Sequence, residues 1–167
     1  MKRILVPTDF SINAYNALYY ATRLFKNEPC KFYILNTFDA ETHILTSRID
    51  NHKDSSEYQK SLDNCKEKLT EVMHSIVRDT EDFDHSFETI SSSKELLESL
   101  KETIKNKDIN IIVMGTKGAT GAKGFFIGSN TANVIQKIKK CPVLAVPDGF
   151  DVENSFESTF SEKEHLY

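Results

Sequence analysis

The sequence predicts a doubly wound α/β domain, a five-stranded parallel sheet with helices on both faces. Three observations predict it. Short, almost wholly apolar runs alternate with longer stretches in which apolar residues recur every third or fourth position, the signatures of buried strands and amphipathic helices. The strand runs are apolar on successive residues, so both faces of the sheet must be covered. The chain has 167 residues, enough for one core and too few for two. Parallel neighbours need crossover helices, and these are right-handed.

The first strand is Ile4-Leu5-Val6-Pro7, stopping at Pro7-Thr8-Asp9 where proline removes a donor. Ser11 caps a helix whose apolar positions are Ala14, Ala17, Leu18, Ala21, Leu24 and Phe25, and which ends before Pro29. Lys31 to Phe38 is β-branched and aromatic, the second strand. Residues 39 to about 54 are polar and weakly patterned, a loop or short helix beside the site. Tyr58, Leu62, Cys65, Leu69, Val72 or Met73, and Ile76 then mark a long amphipathic helix. His85 to Ile90 is a weaker, alternating third strand, and Ser93 opens a third helix carrying Leu96, Leu97, Leu100 and Ile104. Ile109 to Gly115 is the most strand-like run, and a helix from about Ser129 to Lys140 leads to a fifth strand, Pro142 to Pro147. The domain is expected to span residues 1–147. Residues 148–167 form an acidic tail with Phe150, Phe156, Phe160 and Tyr167, either disordered or docked by its aromatics.

Charge narrows the function. The net charge is −4. Asp148, Asp151, Glu153, Glu157, Glu162 and Glu164 against Lys163 give the tail −5, which leaves residues 1–147 near +1. That body lacks the basic excess of a duplex-binding surface, so nucleic acid is not an expected partner. No apolar run is long enough for a signal or a membrane span. Cys30, Cys65 and Cys141 are odd in number and form no CxxC, and the five histidines show no metal-ligand spacing. Neither a metal site nor a catalytic thiol is expected, and a reducing cytoplasm is the expected location.

One segment differs in character. Between Ile109 and Pro147 there is no Asp or Glu, while Lys117, Lys123, Lys137, Lys139 and Lys140 all lie there. The last three suit a helix C-terminus. Five of the six glycines, Gly115, Gly118, Gly121, Gly124 and Gly128, also fall in this segment, between the fourth strand and the fourth helix. Glycine lets main chain approach a ligand closely, and the amides that open a helix attract anions. Phosphate is the natural guest; a flexible turn capped by Ser129 is the plainer alternative. Neither GxxxxGK[ST] nor GxGxxG occurs.

What stands there is Gly115-x2-Gly118-x9-Gly128-Ser129, which resembles the nucleotide-binding motif of the ATP-binding branch of the universal stress protein family. The resemblance extends over residues 2 to about 147, through Lys2 to Ser11, Met114-Gly115-Thr116-Lys117-Gly118, Gly128 to Ile135, and Cys141 to Val146. It implies a sheet ordered 3-2-1-4-5 that binds ATP, or AMP or ADP, beyond the strand ends, with magnesium or manganese carried by the phosphates. In that order the helices after strands one and four leave on opposite faces, which opens the crevice where such sheets bind ligands.

By the same resemblance, Pro7, Thr8 and Asp9 would face the nucleoside, with Asp9 accepting from ribose or adenine; its own alternative is a helix-capping role. Thr37, where many relatives carry an aliphatic residue, would lie along adenine. Gly115, Lys117, Gly118, Gly128, Ser129, Asn130 and Thr131 would surround ribose and phosphates, and Met114 would belong to the same binding set. Lys117 stands where relatives often have histidine or serine and would add a charged phosphate contact, its plainer alternative being a solvated loop lysine. The expected function is a nucleotide-dependent regulatory binding module, with a slow ATPase or nucleotidyl-transfer enzyme and an apo interaction protein as alternatives. The fifth strand, Val143 to Val146, would lie at the sheet edge, so a homodimer through that edge is expected, the tail being the rival cover.

Overall fold

Strands and helices alternate along the chain in the computed structural model, which describes residues 1–38, 55–116 and 127–147. The elements are β1 (Lys2–Pro7), α1 (Ile12–Leu24), β2 (Cys30–Thr37), α2 (Ser55–Asp79), β3 (His85–Ser92), α3 (Leu96–Lys107), β4 (Ile111–Gly115), α4 (Ser129–Lys137) and β5 (Val143–Val146). All pairings are parallel, and the sheet order is β3-β2-β1-β4-β5. The expected architecture and strand order are therefore those observed. The loop assigned to residues 39–54 and the tail 148–167 lie outside the described residues.

The apolar strand runs are explained by two cores, one on each face of the sheet. Ile4, Val6, Phe32 and Ile34 pack with Ala17, Leu18 and Ala21 of α1 and with Cys65, Leu69 and Ile76 of α2. The alternate strand residues Leu5, Tyr33, Leu35, Ile112 and Met114 pack with Leu100 of α3 and with Val134 and Ile138 on the α4 side. Successive side chains of a strand point to opposite faces, so a strand buried on both must be apolar throughout.

Several boundaries differ from expectation, each for a local reason. Ser11 does cap α1, its hydroxyl accepting from the Ala14 amide at 3.2 Å. Leu24 is 40% exposed and does not join the buried stripe. Ser93 does not cap α3: the N-cap is Glu95, without a side-chain cap bond. The neighbouring Ser92 takes the local role, its hydroxyl accepting from the Lys94 amide at 3.2 Å and pairing with Ser99 Oγ at 2.8 Å. β3 runs on to Ser92 because each residue from His85 to Ser92 has a partner in β2. β4 begins at Ile111, and α4 ends at Lys137, with Ile138 already extended at φ −90°, ψ 108°.

Two surface carboxylates tie elements together. Tyr15 of α1 donates to Asp79 at the end of α2 at 2.5 Å, and Glu88 of β3 sits 2.7 Å from both Lys31 and Lys107. The Tyr15 hydroxyl holds Asp79 below its ordinary 3.8, and Lys107 and then Lys31 hold Glu88 below 4.5. A carboxylate depressed on folding stabilises above its unfolded pKa, and that stability is lost as pH falls through the folded value. Urea midpoints are thus expected to be flat from neutrality to about pH 5 and to fall below about pH 4. The combined Tyr15→Phe, Glu88→Gln variant should show a shallower acid fall. The difference should stay under about 1 kcal/mol, because both groups are screened by water.

Candidate functional site

The crossovers from β1 and from β4 leave the sheet on opposite faces, since α1 packs in one core and the α4 side in the other. The chain opens between them, at the carboxyl ends of β1 and β4. The resulting cleft has a volume of about 360 Å³ and is lined by Pro7, Thr8, Asp9, Thr37, Met114, Gly115, Gly128, Ser129, Asn130 and Thr131. Every expected site residue that is described thus lines one cleft. Lys117 and Gly118 lie outside the described residues. The cleft also contains residues the sequence reading did not assign to it: Ser11, Asn13, Ala14, Leu35, Asn36, Leu96 and Thr116.

The β1–α1 wall is a turn held by its own side chains. The Thr8 amide donates to the Leu35 carbonyl at 2.8 Å, which continues the β1–β2 ladder by one residue. The Phe10 amide donates to Thr8 Oγ1 and the Ser11 amide to Asp9 Oδ1, each at 3.0 Å. Between them Phe10 adopts φ 65°, a left-handed conformation that disfavours a bulky residue. The Asn36 side-chain amide donates to the Thr8 carbonyl at 2.7 Å. Asp9 therefore shapes the turn ahead of the helix, while the N-cap itself is Ser11.

The β4–α4 wall is anchored differently. The Thr116 amide donates to the Val146 carbonyl at 2.8 Å, and Asn13 Nδ2 donates to the Thr116 carbonyl at 2.6 Å, tying α1 to the end of β4. Thr131 Oγ1 donates to the Gly115 carbonyl at 3.0 Å. Gly115 has a structural reason that the sequence reading attributed to a ligand: a Cβ there would stand 2.7 Å from the Asn13 carbonyl oxygen of α1. Gly128 differs. It is the N-cap of α4 at φ −59°, ψ 154°, makes no side-chain cap bond, and a Cβ added to it would meet no described atom within 4 Å. Ser129 is the first helical residue, so it is not the cap.

The first intrahelical bond of α4 runs from the Ala132 amide to the Gly128 carbonyl. The amides of Ser129, Asn130 and Thr131 precede it, in the part of a helix that carries partial positive charge. Among the described lining residues Asp9 is the only ionisable one. The cleft thus combines an exposed carboxylate, a set of helix-opening amides, hydroxyls from Thr8, Ser11, Thr37 and Ser129, and apolar surface from Leu35, Leu96 and Met114. That combination suits a ligand with an anionic group, hydroxyls and a flat apolar part. No group of three His, Cys, Asp or Glu residues that would hold a metal occurs among the described residues.

Comparison with known proteins agrees with this geometry. The profile of the Universal stress protein family matches residues 1–147. The universal stress protein MJ0577 of Methanocaldococcus jannaschii is 32% identical over 157 residues, covering 87% of this chain and 94% of its own length. The solved structure of MJ0577 superposes with a TM-score of 0.64 at 29% identity over 90% of this chain and 98% of that one. Two more distant structures share the fold. A universal stress protein solved in complex with cAMP has a TM-score of 0.56 at 21% identity, over 87% of this chain and 96% of its own. An Arabidopsis thaliana family member with AMP bound has a TM-score of 0.57 at 16% identity, over 90% and 94%.

Proposed function

This chain belongs to the universal stress protein family, and from that premise we propose that the cleft between β1 and β4 binds an adenine nucleotide, ATP foremost, and that the protein acts as a nucleotide-dependent regulatory module. The observation that carries the reading is Gly128: a helix N-terminus with no side-chain cap bond at its cap residue, where an added Cβ would meet no described atom within 4 Å, in a cleft lined by Thr8, Asp9 and Thr37. A phosphate oxygen would supply the acceptor that Gly128, having no side chain, does not. The fold accommodates nucleotides elsewhere, since two distant members are solved with AMP and with cAMP.

In this reading Asp9 accepts from the ribose or the base, Thr37 and Leu96 border the base, and Gly115 and the α4 amides surround the phosphates. Lys117 and Gly118 complete the phosphate side, and a divalent magnesium or manganese ion would travel on the phosphates. Binding suits the cleft better than turnover, because among its described lining residues Asp9 is the only ionisable one, and acid–base chemistry needs a group positioned for each proton it moves. The protein would act in the cytoplasm, as a homodimer paired through β5, the edge strand Val143–Val146. Denaturing the purified full chain and analysing the released small molecules by mass spectrometry should yield an adenine nucleotide in stoichiometric amount. Release of none, from protein that also fails to take up added ATP, would refute the reading.

A further inference from the structure

Behind the cleft wall lies a buried thiol. Cys65 of α2 is 2% exposed and its sulfur stands 3.2 Å from Asn36 Oδ1. Asn36 is itself 8% exposed and reaches the Thr8 carbonyl through Nδ2 at 2.7 Å. A carbonyl only accepts, so the Asn36 nitrogen must face Thr8. That leaves Oδ1 toward the sulfur, where it accepts from the thiol hydrogen. The groups therefore form a directed chain, Cys65 S–H to Asn36 Oδ1 and Asn36 Nδ2–H to Thr8 C=O. It ends on the turn that carries Asp9 and the left-handed Phe10 at φ 65°.

A left-handed bulky residue persists only where its surroundings hold it. The polar contacts around this one among the described residues include Phe10 N–H to Thr8 Oγ1, Ser11 N–H to Asp9 Oδ1, Asn36 to the Thr8 carbonyl and the Thr8 N–H to the Leu35 carbonyl, with the Lys68 ammonium 5.5 Å from the Phe10 ring centroid. The first two are internal to the turn and move with it. The third ties the turn to the sheet through a side chain, and its geometry depends on which way the Asn36 amide is rotated.

We propose that Cys65 is a positioning residue of the cleft: its thiol fixes the rotation of the Asn36 amide, and Asn36 holds the Thr8–Phe10 turn in the form that presents Asp9 to the ligand. The proposal rests on the nucleotide reading of the cleft for its functional consequence, and not for its structural one. Burial raises the Cys65 pKa, so the group is a protonated donor at neutral pH. A residue that merely filled the core would behave differently, since alanine and serine there would then differ only in overall stability.

The test uses the full chain with Cys65→Ala and Cys65→Ser, read by hydrogen exchange of the Phe10 and Ser11 amides without ligand and by calorimetric affinity for ATP. Cys65→Ala should speed exchange at both amides about 3- to 10-fold and weaken ATP by a similar factor, the size of one neutral hydrogen bond. Cys65→Ser, which keeps a donor, should restore most of both. Ladder amides in β2 should exchange as in the parent protein. Equal exchange at Phe10 and Ser11 in the alanine and serine variants, or a matching acceleration throughout β2, would overturn the proposal. Should the parent protein bind no ATP, the nucleotide reading falls, while the exchange data still decide whether Cys65 holds the turn.

Discussion

Gly115→Ala is expected to destabilise the protein by about 1–3 kcal/mol, and Gly115→Val by more, in chemical denaturation of the full chain. Its backbone does not demand glycine: φ lies outside the left-handed region, and in open space alanine there would be neutral or slightly stabilising. Packing makes the demand. The added Cβ would stand 2.7 Å from the Asn13 carbonyl oxygen and 3.0 Å from its carbon, both main-chain atoms of α1. Relief requires moving the start of α1. That start is fixed by the Ser11 cap and by the bond from Asn13 Nδ2 to the Thr116 carbonyl. An unchanged denaturation midpoint for Gly115→Ala would show that α1 yields easily, and that the glycine has some other reason.

Gly128→Asp should do the opposite. The dihedral angles of Gly128, φ −59° and ψ 154°, are close to those of the working cap Ser11, φ −72° and ψ 158°. An aspartate fits there without strain, and its carboxylate would accept from the amides that open α4. Aspartate is a better cap than glycine by a few tenths of a kcal/mol, so stability should hold or rise slightly. The same carboxylate would occupy the amides proposed to meet phosphate and set a like charge against it. ATP affinity should fall roughly tenfold or more, from the lost amide contacts together with the repulsion. Thermal unfolding and calorimetry on the same sample separate the two effects. A variant that is as stable as the parent and binds ATP equally well would place any phosphate elsewhere.

These two glycines show how far the sequence could be read. Both belong to one cluster, and composition alone treats them alike. Their difference is a contact between β4 and α1, elements about a hundred residues apart, and local periodicity holds no record of such a contact. The fold was legible because burial on both faces leaves a continuous apolar run at Ile4 to Val6 and at Phe32 to Leu35, and helices must supply the cover. The cleft was legible at its termini, where Pro7-Thr8-Asp9 and Gly128-Ser129 break the pattern.

Its floor was not. Asn36 is a buried polar residue directly after an apolar run, and in the sequence alone it is indistinguishable from one more strand position. Asn13 reads as an ordinary polar helix residue until Thr116 is placed beside it. Leu96, the first residue of α3, packs against the core and also lines the cleft, and helical spacing shows the first role alone. Each miss concerns a side chain whose role is set by a neighbour distant in sequence.

The most direct test of the central claim is a titration of ATP into the ¹⁵N-labelled full chain. The account predicts saturable shifts at the amides of Thr8, Asp9, Thr116 and Ser129 to Thr131, all lining one cleft, with those of Ser129 to Thr131 largely lost in Gly128→Asp. Shifts confined to other surfaces, or none while the spectrum remains that of the folded protein, would contradict it.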